Sequence, residues 1–296
     1  MQRWAYMNAR LITRAKEWTQ EQPWELYATQ IFVLMRNEIR RNLFARRRLW
    51  VYLLAAIPVV ILLVQRAFAR NTAEPFYIES ATRVLARIVH LYYVRLGIFF
   101  ACMGIFTWLF RGEVVERTLH YQFLVPVRRE VLVIGKFLAG TLISIFLFES
   151  AVLACFYLTY DRFGAAGWSY IFDGPGLHQL GAYLLVTALT CIGYGSVFLA
   201  LSLLFKNPIV PGLVLMGWET IAPILPAWAQ RLSVTSYMRH LCPVELPVEG
   251  PLAIFTVVAE PVAPVLAILG LLCLSVAVLV LSCFLIDRIE ITYTAE

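Results

Sequence analysis

Apolar residues arrive in long blocks separated by short polar stretches, and these blocks organise the whole chain. Six of them predict six transmembrane helices, over about 49–65, 88–110, 137–160, 180–205, 207–228 and 261–286. Each approaches the ~20 residues a helix needs to cross a ~30 Å hydrocarbon core. Trp50 and Tyr52 open the first block, and the fourth and sixth carry no charge. Barrel strands would alternate over ~10 residues instead, so the pattern excludes a transmembrane β-barrel. Pro208, Pro211, Pro223 and Pro226 sit near the ends of the fifth block, where helix starts and breaks tolerate them.

The segments between blocks have patterns of their own. Over 24–48, Ile31, Phe32, Leu34, Met35, Ile39 and Leu43 form an apolar side, and Arg36, Glu38, Arg40 and Arg41 a polar one. That predicts an interfacial helix lying on a leaflet before the first span, or else a plain basic anchor. Between the second and third blocks lies the longest polar segment, 111–136. Val114, Val115, Leu119 and Phe123 recur on one side of it at helical spacing. Glu113, Glu116, Arg117, His120 and Gln122 fall on the other, and Pro126 ends the pattern. This is an amphipathic helix suited to a membrane surface or a docking partner, or a solvated loop. The outer segment 161–179 is Gly-rich, with Trp168 and Tyr170 at interfacial positions. The stretch 229–260 is too apolar for a free loop: Leu241, Leu246 and the run 252–258 suggest two short helices re-entering the outer leaflet, or an amphipathic surface helix.

Composition agrees with a polytopic membrane protein. Apolar residues make up 60% of the 296, against about 45–50% in soluble domains. Two regions are expected: a cytoplasmic segment 1–48 and a membrane domain 49–296. The first 48 residues are too long and too charged for a signal peptide. Lys and Arg set the orientation. Seventeen lie in 1–48, in 111–136 and at Lys206 and Arg288, against eight on the other side, so both termini are expected in the cytoplasm. Four arginines in the first outer loop, Arg66, Arg70, Arg83 and Arg87, run against that bias. The net charge of +6 clusters beside a span, which favours anionic lipid over nucleic acid. The six cysteines lie in apolar runs without a CxxC pair and read as packing residues.

One segment also carries a resemblance. Glu113, Glu116, Arg117, Thr118, Leu119, Pro126, Arg128 and Arg129, then Gly135 and Lys136 opening the next span, resemble the first cytoplasmic loop of ABC type-2 permeases. In that family the loop is the coupling helix, which docks on the ATPase subunit. The basic cluster Arg46, Arg47 and Arg48 after an interfacial helix resembles the family's connecting helix, and the apolar stretch before the last span resembles its re-entrant pair. The resemblance covers most of 25–296. It implies an all-α integral membrane protein in the cytoplasmic (inner) membrane, acting as permease subunit of an ATP-driven exporter. It further implies a separate ABC ATPase subunit and a second permease copy or sister permease. The first 24 residues are extra to the family, and no large external domain is inserted.

Candidate chemistry is sparse. Glu149 in the third block, Glu219 in the fifth and Arg95 in the second are ionisable groups inside spans, costly unless they face water or protein. They line a substrate path or form structural pairs; Arg95 with His90 above it could also snorkel outward. The Gly193–Ser196 stretch has the Gly and Ser of an intramembrane protease, but no His lies in a later span, and small residues there suit close helix packing. No P-loop is present: Gly135 and Lys136 lack the upstream Gly and are followed by Phe137. The chain therefore carries no ATPase motif and no cofactor of its own, and any ATP would be bound by a partner. A membrane assembly or anchoring role without transport is the alternative; a secondary transporter is another, though without internal repeats.

Overall fold

The computed structural model describes residues 24–43, 49–69, 77–112, 127–205, 207–239, 241–244 and 263–286. The described residues are helical, without a strand. The helices are α1 (Trp24–Leu43), α2 (Leu49–Ala69), the composite α3, α4 (Arg129–Asp161), α5 (Ala165–Phe172), α6 (Gly176–Leu204), α7 (Ile209–Ile221), α8 (Ala227–Gln230), α9 (Val234–Arg239) and α10 (Pro264–Ile286). Helix α3 changes pitch along its length: α-helical Ile78–Arg87, π-helical Ile88–Gly97, α-helical Ile98–Thr107 and π-helical Trp108–Gly112. The expected coupling segment 113–126, the cluster Arg46–Arg48, His240 and the apolar run 252–258 lie outside the described residues.

Five helices, α2, α3, α4, α6 and α10, are long and apolar enough to cross a membrane. The expected fifth span is the exception. Helix α7 has 13 residues and gives way to a 3₁₀ turn at Ala222–Ile224, where Pro223 lacks the N–H an α-helix would use. Other boundaries move outward: α3 begins at Ile78 rather than 88, and α4 at Arg129 rather than 137. The Gly-rich outer segment is itself largely helical, as α5. Gly164, at φ +57, makes the turn into it.

Helices α4 and α6 form the centre, each 67% buried over its most apolar window, while α2 is 17% and α10 22% buried. The peripheral pair therefore presents apolar side chains outward, as a lipid-facing helix must. Close approach at the centre depends on missing side chains. The ring of Phe106 in α3 lodges between Gly140 of α4 and Gly195 of α6; a Cβ at either position would sit 2.7 and 2.9 Å from it. Phe99 continues the seam, its ring 4.9 Å from Phe198 and 5.1 Å from Tyr194.

A proline in α2 is covered by α3. Pro58 offers no N–H to the carbonyl of Leu54, four residues back. The Tyr92 hydroxyl donates to that carbonyl at 2.7 Å, and Tyr93 donates to the next one, Ala55, at 3.0 Å.

Helices α2 and α4 end together, where Arg66 meets Asp161 at 2.7 Å and Thr82 bonds Tyr160 at 3.0 Å. This accounts for part of the basic first outer loop: Arg66 is paired across helices, and Arg83 lies 3.7 Å from Glu79 one turn away. The start of α4, the end of α10 and the side of α1 gather at the opposite end, where Leu34 lies against Gly135 and Arg129 reaches Ile286.

Candidate functional site

The two stems of the polar segment 113–126 converge on one buried ion pair. Lys136, one residue after Gly135 in α4, is 2% exposed. Its Nζ donates to Glu38 Oε1 at 3.1 Å and to the Leu109 carbonyl at 2.8 Å, and it lies 5.2 Å from the Phe110 ring centre. Glu38 is 5% exposed; Asn42 donates to its other oxygen at 3.1 Å, and Arg41 approaches to 3.8 Å. Residue 109 precedes the segment, residue 136 follows it, and residue 38 belongs to α1. Gly135 makes this possible, since a Cβ there would sit 3.2 Å from that of Leu34. A buried pair with its remaining valences satisfied holds position well and is costly to break from one side.

This corrects one expectation. Glu38 was expected on the polar side of α1 and Lys136 at the opening of the next span, yet both are buried against each other. Phe32, expected on the apolar, leaflet-facing side of α1, is exposed beside Val33. The available signal was a lone acid among Arg36, Arg40 and Arg41 of α1 and a lysine following a glycine at a span's start; nothing local links them across 98 positions.

Arg128 and Arg129 add two ties at the same place. Arg128 lies over the Tyr27 ring of α1 at 5.4 Å, and Arg129 donates to the Ile286 carbonyl at the end of α10 at 3.4 Å. Glu113, Glu116, Arg117, Thr118, Leu119 and Pro126 lie outside the described residues.

The buried acids differ from each other. Glu219, 5% exposed near the end of α7, accepts from Ser233 Oγ at 2.6 Å, from the backbone N–H of Val234 at 3.0 Å and Thr235 at 3.2 Å, and from the Thr235 hydroxyl. These donors are the first turn of α9 and the residue before it, so the carboxylate caps that helix from outside, where free N–H groups and the helix dipole favour an anion. Glu149 is half-buried in α4 and has no hydrogen bond or ion pair among the described residues. Arg95, in the π-helical part of α3, is likewise half-buried and is not paired with Glu149 or Glu219. Ser196 donates to the Gly193 carbonyl at 2.8 Å, while Gly193 itself lies against Val234 and Leu271, so this stretch serves packing.

A scan against protein families places residues 43–217 in the ABC-2 family transporter protein model. The matched region runs from before α2 to within α7 and includes the Lys136–Leu109 contact and the segment between its stems. No curated protein matches the chain. More than half of the sequence fits the family, and the helices long and apolar enough to cross a membrane fit its architecture. The chain therefore belongs to the ABC-2 transporter family and is a multi-pass membrane permease component of an ABC transporter.

Proposed function

We propose that this chain is the permease subunit of an ATP-driven exporter, with ATP bound and hydrolysed by a separate subunit docked on 111–136. The observation that carries the reading is the clamp at Glu38, Lys136 and Leu109, which fastens both stems of that segment to each other and to α1. A push on the segment from below cannot be lost in a flexible loop, because its two ends move as one with α3, α4 and α1. Arg128 and Arg129 extend the same connection to Tyr27 and to the end of α10. Such rigid linkage is what turns closure of a partner into rearrangement of spans.

In this reading Glu113, Glu116 and Arg117 face the ATPase with Thr118 among the coupling positions, Leu119 and Phe123 seat the helix, and Pro126 ends it. Both termini lie on the cytoplasmic side of the inner membrane. Helix α7 is the sixth crossing: 13 residues at 1.5 Å and a 3₁₀ turn at about 2 Å per residue give about 26 Å, close to the hydrocarbon thickness. Helices α8 and α9 then re-enter the outer leaflet. Two permease copies, or one and a sister, enclose a path to which Glu149 contributes its unpaired carboxylate.

Charge reversal tests the docking. Charged pairs at such an interface set partner choice more than bulk affinity. Glu116→Arg is expected to release the ATPase from the purified complex and abolish ATP-driven transport in vesicles, with the permease still folded and inserted. Full co-purification and transport in Glu116→Arg, Glu113→Arg and Arg117→Glu alike would remove this segment from the interface.

A further inference from the structure

Near the end of the bundle away from the clamp, two arginines and a histidine gather, and among the described residues no carboxylate pairs with them. His90 and Arg95 stand five residues apart on the π-helical stretch of α3, one turn of such a helix, and α9 packs against that stretch. Arg239 closes α9. Burial and the nearby charge of Arg95 both hold the Arg239 guanidinium below its ordinary pKa. The charges of Arg239 and Arg95 also reach His90, whose Nδ1 meets the Cys242 thiol at 3.4 Å. Among the described residues neither arginine has a hydrogen bond or an ion pair. Glu219 shares a neighbour with Arg95, the Tyr194 hydroxyl, but its oxygens are taken by Ser233, Val234 and Thr235.

A second observation lies beside this group. Tyr183 of α6 is 1% exposed, and its hydroxyl has no hydrogen-bond partner among the described residues. Its electrostatic neighbours include Cys242, the residue in contact with His90. Two guanidinium forks and an orphaned hydroxyl are donors in want of acceptors, the imidazole has one ring nitrogen beyond its contact with Cys242, and like charges at partial burial repel unless an anion joins them. A π-helical segment of this length is rare and commonly marks a functional site.

We propose that His90, Arg95 and Arg239, with Tyr183 behind them, bind a phosphate group. The fork geometry of arginine matches an oxyanion with several acceptor oxygens better than a single point acceptor. Two sources could supply that chemistry at this depth: the headgroup of an anionic lipid, or a free phosphorylated solute reaching the site from the outer side.

The test uses the full-length protein in neutral detergent. Phosphatidic acid is titrated against diacylglycerol, which lacks only the phosphate; inorganic phosphate and glycerol phosphate are titrated separately. Saturable binding is expected to phosphatidic acid if the source is lipid, or to the soluble phosphates if it is a solute, and to diacylglycerol in neither case. Arg95→Gln and Arg239→Gln should each weaken it about tenfold or more, the loss of one charge-assisted contact, and Arg95→Lys should restore part of it. If Arg95→Gln fails to fold, Arg239→Gln, in the last turn of α9 with part of its side chain open to solvent, carries the test. Equal binding by the wild type and the Arg95→Gln/Arg239→Gln double variant would assign any lipid effect to the basic N-terminal region and overturn the site. A large gain in affinity on Glu245→Gln or Glu249→Gln would overturn it too, by showing that the chain neutralises these arginines itself.

Discussion

Single side chains in this protein compensate for defects in neighbouring backbone. Pro58 leaves the Leu54 carbonyl without its helical donor, and Tyr92 supplies one from α3. Tyr92→Phe should therefore cost about 1 kcal/mol in detergent unfolding, a typical value for one hydrogen bond. The same change in a Pro58→Ala background should cost less, because the alanine N–H restores the internal bond. An equal cost in both backgrounds would mean the hydroxyl does not cover the proline. Glu219 compensates in the same way for the free N–H groups at the start of α9. Glu219→Ala is expected to lower thermal stability by about 1–3 kcal/mol, the range for an unsatisfied buried group, with transport falling only as folded protein is lost. Glu149→Gln should do the reverse, sparing stability and impairing transport. Wild-type transport by Glu149→Gln would take that residue out of the path. The sequence marked both acids as costly and could not separate them. The donors to Glu219 lie 14 to 16 positions downstream, across a turn whose geometry no local pattern specifies.

Among the elements, legibility follows the range of the interaction. Five spans were visible as continuous apolar runs because the bilayer imposes their length. The bounds of α3 and α4 were read short because Arg83, Arg87, Arg129 and Glu130 belong to the helices but not to the apolar core of the pattern. Helix α1 was foreseen as a helix on a leaflet, but its contact with the bundle was not: its most buried residues are Glu38 and Asn42, held there by Lys136 rather than placed by hydropathy. The packing of α3 between α4 and α6 was legible only as a tendency, small residues permitting close approach. The structure gives it a ring and two partners. Gly195→Ala should destabilise by about 1–3 kcal/mol, the usual cost of overpacking, because its Cβ would lie 2.9 Å from the Phe106 ring. Phe106→Leu in the same chain should recover much of that loss. Additive losses in the double variant, measured by thermal unfolding, would show that Phe106 is not the obstacle.

At the scale of the whole molecule, orientation rests on the charge bias, and the structure selects where to test it. All six cysteines are free thiols, and Cys273 is exposed on α10, so reporters need a background from which it has been removed. Cys242 is a lesser concern, because burial pushes its thiol up to about 12 and leaves little thiolate near neutral pH. Gly167 is the natural midpoint of the outer segment, but it is a poor reporter: a Cβ there would sit 2.2 Å from the Tyr160 carbonyl oxygen. Ala166 beside it is exposed on α5, and Asn37 is exposed on α1 near the clamp. The two lie at opposite ends of α4, which carries Lys136 near one end and Tyr160 near the other. A membrane-impermeant maleimide applied to intact cells should label Ala166→Cys, and should label Asn37→Cys only after permeabilisation. The basic N-terminal segment then faces the compartment that holds ATP, where a docked ATPase must be. Labelling of Asn37→Cys in intact cells, with Ala166→Cys protected, would invert the molecule and leave the segment 113–126 on the wrong side for any nucleotide-driven partner.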